Sequence, residues 1–168
     1  MSGLAYERDA GRVQPERSYF FGSFDTVGLG AVGILCAIAN VTAGLVVVVH
    51  SVKVITNAGA AAIFGLERHV GGITVPGTAI VPTPFRSDIA AALAVCSLAT
   101  AADGGAATAI TVGGAAGPWA ARARSRDEAY QEMLQARSLV LLTGDVLTCR
   151  WTQGVLGTSV ISVEFSEY

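Results

Sequence analysis

The amino-acid sequence predicts an all-β protein, a sandwich or barrel of short antiparallel strands, on three observations. Apolar and polar residues alternate with period two in stretches such as Ser51-Val52-Lys53-Val54 and Val160-Ile161-Ser162-Val163-Glu164-Phe165, which sends successive side chains to opposite faces of a strand. The run Leu45-Val46-Val47-Val48-Val49 is dominated by β-branched residues, which pack well on a pleated surface. Between these stretches, residues 40–44, 57–59, 143–145 and 154–157 carry Asn, Asp or Gly, the residues that supply the backbone angles of turns.

The elements follow in order. Residues 1–17 mix Glu7, Arg8, Asp9, Arg12, Glu16 and Arg17 with no apolar core of their own, so they are expected to form a polar N-terminal arm and not a signal peptide. One domain is expected over residues 18–168, since a chain of this size buries roughly 70% of its extended surface in a single core. Its first half predicts strands at 18–22, 32–39, 45–57 and 60–68. Gly71, Gly72, Pro76, Gly77, Pro82 and Pro84 then mark a loop or an edge crossover. From 89 to 121 the only charged residue is Asp103, and the composition is largely Ala, Gly, Thr and Val. Ala90 to Ala94 carry helix propensity, yet residues 95–100, Asp103-Gly104-Gly105 and 109–112 together read as strand, turn, strand. Residues 118–126 alternate so that Arg122, Arg124 and Arg126 share one strand face. Ser125-Arg126-Asp127-Glu128 matches a capping box and predicts a short helix to about residue 136. The chain closes with strands at 139–142, 146–151 and 158–167.

Composition narrows the function. The 168 residues are 52% apolar and only 14% charged, with a net charge of −2, whereas an average domain carries about 25% charged residues. A disordered chain is excluded, because such chains combine low hydrophobicity with high charge. With no Lys/Arg-rich run there is no electrostatic footprint for nucleic acid. Residues 26–49 hold no charged side chain and are long enough to span a bilayer as a helix. Gly28, Gly30, Gly33, Asn40 and Gly44 interrupt them, and no basic cluster flanks them, which argues against a spanning helix. The scarcity of charge therefore points to surface covered by other protein.

No constellation nominates a catalytic, cofactor-binding or metal site. Gly28-Leu29-Gly30-Ala31-Val32-Gly33 fits the dinucleotide pattern, but no acid occurs between Asp25 and Glu67 to hold a ribose. His50 and His69 show no ligand spacing. Cys36, Cys96 and Cys149 are widely spaced without a C-x-x-C pair, which reads as three buried thiols, two of which could bridge if the fold brought them together. The acids Glu67, Asp88, Asp103, Asp127, Glu128, Glu132, Asp145, Glu164 and Glu167 are scattered, and none pairs at a spacing that suggests general acid and base. The arginine row at 122, 124 and 126 is expected to be a solvated or intersubunit face.

The closing segment Leu139-Val140-Leu141-Leu142-Thr143-Gly144-Asp145-Val146, followed through Cys149-Arg150-Trp151 to Val160-Ile161-Ser162-Val163-Glu164-Phe165-Ser166-Glu167, resembles the ending of small tailed-bacteriophage virion proteins. Asn40 with its Gly turn and the strand over 46–57 resembles the early part of the same group. The resemblance covers about two thirds of the chain. It implies a jelly-roll-like β-sandwich without catalytic activity or cofactor, on the outside of the virion, as a homo-oligomeric capsid decoration, cement or head-fibre protein. A trimer is the oligomer it favours, with the major capsid protein or a neighbouring virion protein as partner. A tail or fibre module that contacts the host surface is the alternative. Residues 90–121 and the capped segment after Ser125 lack a counterpart in that group. Small residues that let backbones pack closely, low charge and a polar arm agree with surface reserved for other copies.

Overall fold

The computed structural model describes residues 17–23, 33–57, 62–71, 78–98, 110–113, 115–125, 131–134, 137–153 and 158–168. Twelve strands run through them: β1 (Arg17–Ser23), β2 (Gly33–Ala39), β3 (Val47–Asn57), β4 (Ala62–Val70), β5 (Thr78–Ile80), β6 (Thr83–Pro84), β7 (Val95–Leu98), β8 (Ala115–Ser125), β9 (Gln131–Glu132), β10 (Leu139–Leu141), β11 (Asp145–Gln153) and β12 (Thr158–Glu167). Among the described residues there is no helix.

The strands form two antiparallel sheets packed face to face. The first runs β10-β3-β12-β1-β6, with β9 also paired to β3, and the second runs β5-β7-β2-β11-β4-β8. Among the eight principal strands β1, β2, β3, β4, β8, β10, β11 and β12, each step along the chain changes sheet except that from β4 to β8, giving β1-β12-β3-β10 against β2-β11-β4-β8. This winding is jelly-roll-like. The final two strands are the central ones: β12 fills the slot between β1 and β3, and β11 the slot between β2 and β4.

Period-two alternation builds the core as expected. Tyr19, Phe21, Val47, Val49, Val52, Val54, Ile161, Val163 and Phe165 of the first sheet meet Leu35, Cys36, Ile38, Phe64, Leu66, Leu147 and Cys149 of the second. Tyr19 stacks on Phe165 with ring centroids 5.3 Å apart, and Phe21 meets the same ring edge-on at 6.3 Å, arrangements that aromatic quadrupoles favour. Bulges adjust the alternation. Ile34 and Cys36 oppose Arg150 and Cys149, so Leu35 is the extra residue and turns inward.

Two segments depart from the sequence-based expectation. The capping box lies mainly outside the described residues, and 131–134, expected as the end of a helix, are not helical. Gln131 and Glu132 pair with Val54 and Lys53 as β9. The Glu132 carboxylate accepts hydrogen bonds from Ser51 Oγ at 2.7 Å and from the backbone amides of Val52 and Leu134 at 3.2 and 3.3 Å. Met133 and Leu134 then enter the core, so their apolar pairing reflects a plug and not a helix face. The expected second strand of a 95–112 hairpin is also absent from residues 110–113, which are irregular and lay Ile110 and Val112 against Ile34, Ala37, Ala39 and Val146 on the outer face of the second sheet. Its Asp103-Gly104-Gly105 turn lies outside the described residues, as do residues 1–16 of the expected arm, while Arg17 belongs to β1. The breaker-rich segment, expected as a loop or an edge crossover, passes from the edge of the second sheet to the edge of the first through two very short strands, β5 and β6.

One end of the sandwich is closed by the turns at 40–44, 70–71 and 142–145, with Gly44, Gly71 and Gly144 at positive φ (77°, 72° and 93°). At Gly144 the amide donates to Asn40 O at 2.8 Å while Gly71 N donates to Gly144 O at 3.3 Å, so the left-handed residue joins two turns. Asn40 is fully buried. Its Nδ2 donates to Leu45 O at 2.8 Å and Leu141 O at 3.0 Å, its Oδ1 accepts from Thr42 N at 3.3 Å, and its backbone amide donates to Asp145 O at 3.0 Å. An Asn40→Ala chain leaves two carbonyls without their donor and loses about 2–4 kcal/mol of unfolding free energy in urea titration. Asn40→Asp, similar in shape, is comparably destabilised, because a carboxylate cannot donate to those carbonyls.

Candidate functional site

Strand β4 alternates so that Glu67 and His69 leave its outer face together, and β11 brings Thr148 and Arg150 beside them. Glu67 Oε2 lies 3.2 Å from Arg150 Nε and 3.3 Å from His69 Nε2, and the Thr148 hydroxyl donates to Glu67 O at 3.3 Å. Glu67, His69 and Thr148 are buried, and Ile110 covers part of the same sheet face. The cluster is a charge-balanced tie between two central strands. At the end of the same strand pair Arg68 holds the buried Asp145, whose Oδ2 also accepts from Leu142 N at 2.8 Å.

The other histidine lies on the opposite sheet. His50 sits at the β3 bulge facing β12, with Nε2 2.8 Å from Ser166 Oγ and Nδ1 3.3 Å from Ser138 Oγ, and Ser18 Oγ is 3.0 Å from Ser166 Oγ. The Ser166–His50 distance suits proton transfer, yet Nδ1 faces a hydroxyl where a triad places a carboxylate. Nearby Glu164 is engaged by Lys53 Nζ at 3.1 Å. A hollow of about 480 Å3 opens beside this row between His50, Phe85, Arg86 and Glu164. Phe20 and Phe85 form an exposed ring pair 5.2 Å apart on the same side. The two histidines, on different sheets, do not form one site.

The third feature is the end of the sandwich that Asn40 organises. A groove of about 800 Å3 runs there between Arg17, Leu45, Val46, Val48, Leu93 and Tyr168. Glu167, 1% exposed, closes its floor. Its Oε1 accepts from Leu93 N at 2.8 Å and Ala94 N at 2.7 Å, which fixes the segment leading into β7. Tyr19 supports the same segment by donating its hydroxyl to Ala90 O at 2.8 Å. Burial, with the negative Glu167 nearby, holds the Tyr19 phenol above its ordinary pKa. Around the groove Val41, Val70, Leu93, Val95 and Leu142 are all exposed. Hydrogen bonds among their turns and the Val95–Ala39 pairing put all five at this end. Val70 and Leu142 present 58% and 54% of their surface to solvent, where the residues before them, His69 and Leu141, are buried.

The remaining sequence features separate. Gly33 opens strand β2, where a dinucleotide fingerprint needs a helix, and Gly28 and Gly30 lie outside the described residues. Arg122 and Arg124 stand on β8 opposite Gly65 and Ile63, and Arg126 lies outside the described residues. Among the described residues no group of His, Cys, Asp and Glu is arranged to hold a metal ion. Among the described residues no helix is long and apolar enough to cross a membrane. The three cysteines converge on the second sheet: Cys36 opposes Cys149, and Cys96 lies on the neighbouring strand β7. All three are buried and free. Sequence reasoning missed the Glu67–His69–Arg150 cluster. Two polar residues at i and i+2 of a strand share a face, and that signal was present in Glu67-Arg68-His69.

Two measurements check these assignments. Arg150→Met leaves the Glu67 carboxylate buried with its strongest counter-charge removed, and lowers unfolding free energy by about 2–3 kcal/mol. A Glu67→Gln/Arg150→Met double variant recovers part of that loss. Burial lifts the Cys96 thiol, and the hydrogen bond with Cys36 together with burial lifts Cys149, both well above the ordinary value. Thiols of the unfolded chain ionise near about pH 8.5, so the reduced protein keeps this stability below that pH and loses it as pH rises further. Melting curves of the reduced protein from pH 7 to 10 show the decline, and Cys149→Ala makes it shallower.

Comparison with known family models, curated proteins and solved structures finds no match for the chain.

Proposed function

We propose that the protein is a non-enzymatic structural protein of a tailed-bacteriophage virion. It decorates or cements the outside of the head as a homo-oligomer, a trimer in the first instance, with the major capsid protein or a neighbouring virion protein as its partner. One observation supports this reading above the others: five exposed apolar side chains, Val41, Val70, Leu93, Val95 and Leu142, gather at one end of the sandwich. Arg17, where the N-terminal segment joins the domain, lies at the groove on that same end. An end so built suits docking on protein, with the apolar residues as the contact and the polar arm as a reach onto the neighbour. The low charge content, 14%, and the resemblance of the closing strands to virion proteins agree with it.

The experiment is light scattering of the purified chain, followed by co-sedimentation with phage heads that lack it. The expected result is an oligomer that binds heads, with Val70→Asp/Leu142→Asp weakening the association roughly 10- to 100-fold while the β-sheet circular dichroism is unchanged. A stable monomer that binds no particle overturns the reading. Binding confined to isolated tails moves the protein to the tail or fibre.

A further inference from the structure

Cys36 of β2 and Cys149 of β11 are direct cross-strand partners, both buried and both facing the interior between the sheets. Directly opposed residues of an antiparallel pair hold their Cα atoms about 4.5–5.5 Å apart, inside the span a disulfide bridges. The Cys149 thiol donates to Met133 Sδ at 3.9 Å, which places its sulfur in the same core cluster as Cys36. The void beside the pair, lined by Phe21, Val52, Leu66 and Val163, measures only about 10 Å3, enough for a side chain to rotate and too small for a ligand. Geometry also separates this pair from the other two. Cys96 opposes Ile38 while Cys36 opposes Leu98, so Cys36 and Cys96 are diagonal neighbours with Cα atoms about 7–8 Å apart, beyond comfortable bridging distance. Cys96 and Cys149 are two strands apart, about 9–10 Å at the usual spacing.

We propose that Cys36 and Cys149 form a disulfide that staples β2 to β11 across the middle of the second sheet, leaving Cys96 as a free thiol. The bond forms by exchange with an external low-molecular-weight disulfide. One cysteine thiolate attacks a reagent sulfur and releases the first reagent thiol, and the second thiolate then displaces the other reagent thiol from the mixed disulfide. The protein gives up two protons and two electrons, and the reagent is reduced to two thiols. Both sulfurs are buried, so the exchange takes place while the sandwich is open, during folding or on transient unfolding. Once closed, the fold shields the bond from reductant. The staple joins strands near the two ends of the chain, so it restrains the unfolded state strongly.

The test refolds the full chain from denaturant in a buffer of oxidised and reduced glutathione, and in parallel in reductant alone, then alkylates and maps the cysteines by mass spectrometry. The oxidised sample is expected to give one linked peptide pair containing Cys36 and Cys149, with only Cys96 alkylated. Its melting temperature lies roughly 5–15 °C above that of the reduced sample. Cys96→Ala keeps the link and the shift. Cys36→Ala and Cys149→Ala each abolish both, and if either fails to fold, the wild-type peptide map still decides. Three alkylated cysteines after oxidative refolding, a link that contains Cys96, a bond between two chains, or a linked protein that melts no higher than the reduced one overturns the proposal.

Discussion

The buried side-chain amide of Asn40 sets the geometry of one whole end of the sandwich. It follows β2 in the second sheet, yet both its donors go to carbonyls of the first, at Leu45 before β3 and Leu141 in β10. Its own backbone closes on Asp145 and Gly144. A single residue thus satisfies five backbone groups, at Thr42, Leu45, Leu141, Gly144 and Asp145, where an unpaired carbonyl is expensive, and ties the two sheets together. Val41 and Leu142 owe their outward positions to this arrangement, since each is the residue beside a turn that Asn40 clamps.

Three carboxylates of this charge-poor chain are spent inside it. Glu67, Asp145 and Glu167 are buried carboxylates, and half-buried Glu132 acts in the same way. Each holds an irregular or junctional piece of backbone: Glu132 fastens β9 to β3, Asp145 the turn after β10, and Glu167 the segment before β7. Glu67 joins two strands through Arg150. A carboxylate that accepts two backbone amides replaces ladder bonds that these segments cannot make, with the strength of a charge-assisted hydrogen bond.

Most of the strand pattern was legible because its signal is local. Alternation placed β1, β2, β3, β4, β10, β11 and β12 within two or three residues, and Asn40, Gly44 and Gly144 marked turns that do need their chemistry. The failures are tertiary. Met133 and Leu134 look like one face of a helix until β3 offers Gln131 and Glu132 an edge to pair with. The small residues Ala37 and Ala39 do not reveal that residues 110–112 will lie on them. The cysteine pairing and the Arg150 partner of Glu67 depend on register between strands far apart in sequence, which no window along the chain contains.

The order in which the strands are wound has a kinetic meaning. The central strand of each sheet is one of the last two in the sequence, so a chain folded through β10 has both sheets split, with β1 and β3 facing an empty lane and β2 and β4 another. Nearly every stabilising contact of β11 and β12 spans a large part of the chain, which makes closure slow and leaves sticky strand edges exposed until it happens. Into those lanes the same two strands of a second molecule fit as well as the chain's own. At high concentration, folding therefore runs in competition with strand exchange between copies.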